Sequence, residues 1–136
     1  MITSGDPDNP EILGQAMTAT YLFIDAKMRI YQEKSSSDRR KPDQSGCTAV
    51  SALITPKHII CANAGDSRCV LGLDGVTKPL SYDHKPNLEM ERKRIENAGG
   101  SVQWKRVDGD LAVSRAFGDF QYKQRSDLQP GEQKVK

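Results

Sequence analysis

Ile59-Ile60-Cys61-Ala62-Asn63-Ala64-Gly65-Asp66-Ser67-Arg68-Cys69-Val70-Leu71-Gly72 is the stretch whose reading decides the fold. Two short, partly β-branched apolar runs enter and leave a bend made of one glycine and one carboxylate, so both runs read as strands. Gly65 lets the backbone bend and approach another group closely. Asp66 then sits at a strand end, where its oxygens can meet a metal or a phosphate. The other reading is a turn in which Asp66 bonds local N–H groups.

Working outward, residues 48–54 and 58–64 form a hairpin across Pro56-Lys57, and 68–73 and 76–80 form a second across Asp74-Gly75. The strands at 48–54 and 58–64 are apolar on both faces, which predicts a sheet covered on both sides. Upstream, Leu13, Met17, Thr20, Ile24, Met28 and Tyr31 recur at helical spacing. They predict an amphipathic helix over 10–33, capped by Asp8 or Asn9 with Pro10 in its first turn, its stripe packed on the sheet. The serines and basic residues of 33–45 read as a solvated, mobile loop. Downstream, Asn87 caps a helix running to Ala98, mostly solvated because Glu89, Glu91, Arg92 and Arg94 share it, and Gly99-Gly100 ends it. A strand over 101–107 and a turn at Asp108-Gly109 follow. Residues 124–136 are polar and read as a disordered tail. The fold class is α+β.

Of 136 residues, 20 are basic and 18 acidic, a net charge of +2. That near-cancellation, without interleaved basic and aromatic residues, argues against a nucleic-acid partner. Cys47, Cys61 and Cys69 form no Cys-x-x-Cys pair. They read as reduced thiols, which points to an intracellular protein, cytoplasmic or nuclear. Two histidines are too few for an ordinary Cys/His zinc site. Residues 1–10 have no signal-peptide pattern and no run approaches membrane-spanning length, so no membrane role is expected.

Five blocks then occur in order: Ser45-Gly46-Cys47-Thr48-Ala49-Val50; Asn63-Ala64-Gly65-Asp66-Ser67-Arg68; Asp83-His84-Lys85-Pro86; Glu91-Arg92 with Arg94-Ile95 and Ala98-Gly99-Gly100; and Leu111-Ala112-Val113-Ser114-Arg115-Ala116-Phe117-Gly118-Asp119. With this order and spacing, the chain resembles the metal-dependent protein serine/threonine phosphatases of type 2C over 46–123. The resemblance implies a four-layer αββα sandwich, two antiparallel sheets flanked by helices. It also implies hydrolysis of phosphoserine and phosphothreonine in phosphoprotein substrates with manganese or magnesium, a metal-bound water attacking phosphorus.

By the same resemblance Asp66 is the metal-ligand candidate, Thr48 and Gly65 lie near that site, and Arg106 belongs to a flap-like segment over 86–123 that influences substrate choice. The family's first-strand Glu-Asp pair, its Asp-Gly-His-Gly loop and its late Asp-Gly-x-Trp-Asp and Asp-Asn motifs do not occur here. Residues 1–123 therefore read as the middle part of such a domain, lacking most catalytic metal ligands and inactive alone. No residue is given a catalytic role, and His84 reads as a turn histidine. The alternative reading is an inactive, phosphatase-like binding or regulatory protein. Oligomeric state is not legible.

Overall fold

The structure, a computed structural model, describes residues 8–35 and 43–136. Most of the expected loop over 33–45, and the lead-in before Asp8, lie outside the described residues.

Helix α1 (Pro10–Ser35) begins where Asn9 accepts the Glu11 N–H on its Oδ1 at 2.9 Å, the side-chain cap that a proline-led first turn needs. Strands β1 (Gly46–Cys47), β2 (Ala49–Ile54), β3 (Ile59–Ala64), β4 (Val70–Leu73) and β5 (Val76–Pro79) follow. Helix α2 (Glu89–Asn97) comes next, then β6 (Val102–Gln103), β7 (Arg106–Val107) and β8 (Phe117–Gly118). The α+β class holds. Strands pair in four antiparallel ladders: β2 with β3 from Ala49↔Ala64 to Ile54↔Ile59, β4 with β5 from Val70↔Pro79 to Leu73↔Val76, β6 with β7, and β1 with the distant β8.

The core lies away from the first hairpin. Ile95 of α2, Val107 of β7, Ala116 and Val135 are buried together, with Val102, Leu111, Val113 and Tyr122 packed against them. Helix α1 lies over β3 and β8. Its Tyr21 hydroxyl bonds the Ala62 carbonyl at 3.2 Å and Ser51 Oγ at 2.9 Å, and its ring meets Phe117 at 5.0 Å. The inward face is Leu13, Met17, Tyr21, Asp25 and Met28; Thr20, Ile24 and Tyr31 of the expected stripe are exposed. Asp25 is drawn inward because it accepts from Lys123 Nζ at 2.9 Å and the Gly118 N–H at 2.9 Å, bonds that helical periodicity does not encode.

Four more expectations are corrected. Strand β2 is exposed over most of its length, Ile54 to 73%, so apolar composition on both faces does not here mean cover on both faces. Helix α2 is not mostly solvated: Glu91, Ile95 and the adjoining Ala98 are buried. Residues 101–107 are not one strand but a hairpin, because Trp104 and Lys105 both take left-handed φ values, 49° and 63°. Residues 124–136 are ordered against the core. Val135 is fully buried, Gln133 Nε2 donates to the Arg125 and Leu128 carbonyls, and the Ala116 N–H donates to the Lys136 carbonyl at 3.0 Å.

Candidate functional site

Gly65 and Asp66 end β3 in a bend with Gly65 φ at +116°. A Cβ at Gly65 would collide with Thr48 Cγ2 and Cβ and lie 3.2 Å from the Arg115 carbonyl. Sterics as well as dihedral therefore demand glycine. The loop after β5 clamps the bend from the other side. The His84 N–H donates to the Gly65 carbonyl at 2.9 Å, and the Gly65 N–H donates to His84 Nδ1 at 3.3 Å. Asn63 Nδ2 adds bonds to the Gly65 carbonyl at 3.1 Å and the Tyr82 carbonyl at 2.9 Å. Accepting at Nδ1 requires a neutral ring. Burial, followed by the Arg115 charge, lowers the His84 pKa from its ordinary 6.5 and favours that form, with Glu91 opposing.

The clamp sets Lys85 against Asp66: Lys85 Nζ donates to Asp66 Oδ2. Beside them Thr48 Oγ1 and Ser67 Oγ share a bond of 2.7 Å, and Arg68 Nε donates to Asp83 Oδ1 at 2.9 Å. Thr48, Gly65, Asp66 and Ser67 are thus brought together. Lys85, quoted in the sequence blocks without a role, is the neighbour that sequence reasoning missed; the signal was a cation beside His84 in one block. Arg106 belongs to a different place. It is exposed in β7 and donates from one guanidinium nitrogen to the Asp110 carbonyl.

The clamp itself is held by a buried ionic cluster. Glu91 on α2 is 3% exposed. Its carboxylate accepts from Ser114 Oγ at 2.7 Å, Arg94 at 2.6 Å and Arg115 at 2.5 Å and 3.1 Å. Burial pushes that carboxyl up, but the Arg115 and Ser114 bonds and the two guanidinium charges outweigh it and hold its pKa at about 2. The Ser114 N–H donates to the His84 carbonyl at 3.2 Å. One carboxylate on α2 thereby anchors the segment that supports His84, Lys85 and the Asp66 bend.

Asp66 supplies a hard carboxylate, the right donor for manganese or magnesium. It supplies only one, and Lys85 already neutralises it. Among the described residues no group of three or more His, Cys, Asp or Glu side chains comes together to hold a metal ion. The described residues do not by themselves make a metal centre, and no chemical step follows from them through a metal.

The sequence pattern of the family described as Protein phosphatase 2C matches residues 3–135. Protein phosphatase 2C homolog 2 of Schizosaccharomyces pombe is 50% identical over 114 residues, covering 83% of this chain and 30% of that protein. A probable protein phosphatase 2C of Caenorhabditis elegans is 45% identical, covering 89% of this chain and 32% of that one. Among solved structures, a C. elegans sex-determining protein matches 89% of this chain and 29% of its own at a TM-score of 0.71 and 27% identity. A phosphatase of Toxoplasma gondii matches 57% of this chain and 24% of its own at 0.54 and 52%. The chain spans about a third or less of these relatives, and by the match over nearly its whole length it belongs to the protein phosphatase 2C family.

Proposed function

We propose that this chain contributes the Asp66 bend and the flap-like segment to a manganese- or magnesium-dependent phosphatase acting on phosphoserine and phosphothreonine in proteins, and that the 136 residues alone do not turn over. The observation that carries this reading is the clamped strand end that presents the Asp66 carboxylate, in a chain of phosphatase family membership. Asp66 is the carboxylate offered to a divalent ion, with Thr48, Gly65 and Ser67 shaping its surroundings. Glu91, Arg115 and His84 are positioning residues that hold the bend. Arg106 acts on substrate choice, its exposed guanidinium suited to a phosphate or an acidic side chain.

A chimera tests this. Residues 46–123 replace the matching segment of the S. pombe relative, and manganese-dependent phosphate release from a phosphothreonine peptide is measured. Activity is retained, Asp66→Ala lowers turnover, and Arg106→Ala changes the ranking of phosphopeptides more than turnover of a small aryl phosphate. Full activity of the Asp66→Ala chimera would return Asp66 to a structural turn.

A further inference from the structure

Cys61 in β3 and Cys69 just before β4 carry free thiols, one on each side of the Asp66 bend. Folding brings the two side chains together: the Cys61 thiol hydrogen-bonds Cys69 and also Ser81. Ser81, itself buried, accepts the Cys69 N–H on Oγ at 2.8 Å, and the Leu80 N–H donates to the Cys69 carbonyl at 2.9 Å. Both backbone polar groups of Cys69 are thus held by the end of the second hairpin. Cys61 is held in the ladder of the first, opposite Ala52. The third cysteine, Cys47, lies in β1, opposite Phe117 of β8.

Cys61 and Cys69 are both half-buried, and Cys61 lines a cavity of about 470 Å³ beneath α1. A small oxidant therefore reaches them. The two thiols have different parts. Burial first, then the bond and charge of Cys69, raise the Cys61 thiol above its ordinary value. Cys61 is thereby kept protonated as the donor, and Cys69 is the sulfur left to attack. A protonated thiol poised beside an attacking one resolves a sulfenic acid into a disulfide before it oxidises further.

We propose that Cys61 and Cys69 are an oxidation site, at which a hydroperoxide drives an intramolecular disulfide that closes a ring around the Asp66 bend and stiffens it. The Cys69 thiolate attacks hydrogen peroxide: an S–O bond forms, the O–O bond breaks, and the departing hydroxide takes a proton and leaves as water. The Cys61 sulfur then attacks the Cys69 sulfenic acid: the S–S bond forms, the S–O bond breaks, and the hydroxyl leaves with the Cys61 proton as a second water. Two thiols are oxidised by two electrons in all, and one peroxide is reduced by two. Gly65 and Asp66 lie inside the ring, so its closure restricts the backbone that the His84 clamp already holds. This deepens the role proposed for Asp66, on which only its consequence for a bound ion rests; the bond itself needs no metal and no turnover.

The reduced full chain is treated with hydrogen peroxide, its remaining thiols are alkylated, and it is digested with trypsin. Cleavage after Arg68 separates the two cysteines, so a cross-linked pair of peptides reports the bond directly. The Cys61–Cys69 link is expected to form at least about tenfold faster in the folded chain than in urea, and to exceed any link to Cys47 by at least about tenfold. It persists in Cys47→Ser and is absent from Cys69→Ser. In the oxidised chain, amide exchange at Gly65, whose N–H donates to His84 Nδ1, slows at least about tenfold, and dithiothreitol restores the original rate. Sulfinic acid on either cysteine in place of the link, a dominant link through Cys47, or equal rates in urea and in buffer overturns the proposal. Unchanged or faster exchange at Gly65 overturns its claim on the bend. Both readouts are taken without metal or phosphopeptide, so their failure is told apart from failure of the role proposed for Asp66.

Discussion

Glu91→Gln removes one charge and keeps the side chain's size, at a site where three donors converge. A carboxyl held at about 2 instead of 4.5 corresponds to on the order of 3 kcal/mol of stabilisation. Removing one partner of a buried pair costs about the same, because Arg94 and Arg115, 13% and 29% exposed, keep charges without a counter-ion. The variant is therefore expected to lose about 3 kcal/mol in urea denaturation at neutral pH. The folded pKa is depressed, so the contribution is fully present above the unfolded value of 4.5 and is lost as pH falls toward about 2. Wild type and variant should converge over that window. A loss under about 1 kcal/mol, or a gap that stays constant through the window, would refute the account of Glu91 as anchor of the clamp.

Gly65→Ala adds a Cβ into Thr48 at a φ of +116°, and is expected to cost more than about 2 kcal/mol in chemical denaturation; an unchanged midpoint would show that the bend relaxes freely. His84, held neutral chiefly by burial, should titrate below 6.5 when followed by NMR of its ring protons, and stability tied to its bond with the Gly65 N–H should fade as pH drops through that lowered value. Titration at or above 6.5 would contradict the clamp.

The hairpins were legible because alternation and turn residues are local: Pro56-Lys57 and Asp74-Gly75 mark the ends of ladders seen at Ile54↔Ile59 and Leu73↔Val76. A cap at Asp8 or Asn9, which the structure assigns to Asn9, and the Gly65 bend were legible for the same reason. What escaped depends on partners far along the chain. Glu91 reads as a solvated helix charge until Arg115 is placed beside it by folding. The tail reads as disordered because what orders it is long-range: Val135 enters a cluster with Ile95, Val107 and Ala116, and the Lys136 carbonyl accepts from the Ala116 N–H. Lys85 and Asp66 are 19 residues apart in sequence, and only the His84 clamp makes them neighbours. Trp104 and Lys105 read as strand residues by propensity, and the hairpin formed against that preference.

We propose that this chain carries one metal-ligand candidate, Asp66, within a phosphatase family framework, and that its described residues do not form a working metal centre. The direct measurement is phosphate release from a phosphothreonine peptide by the purified 136 residues with manganese present, against a heat-treated control, for wild type and Asp66→Ala. No release above the control is predicted from either protein. Manganese-dependent release by the wild type that disappears in Asp66→Ala would contradict the claim.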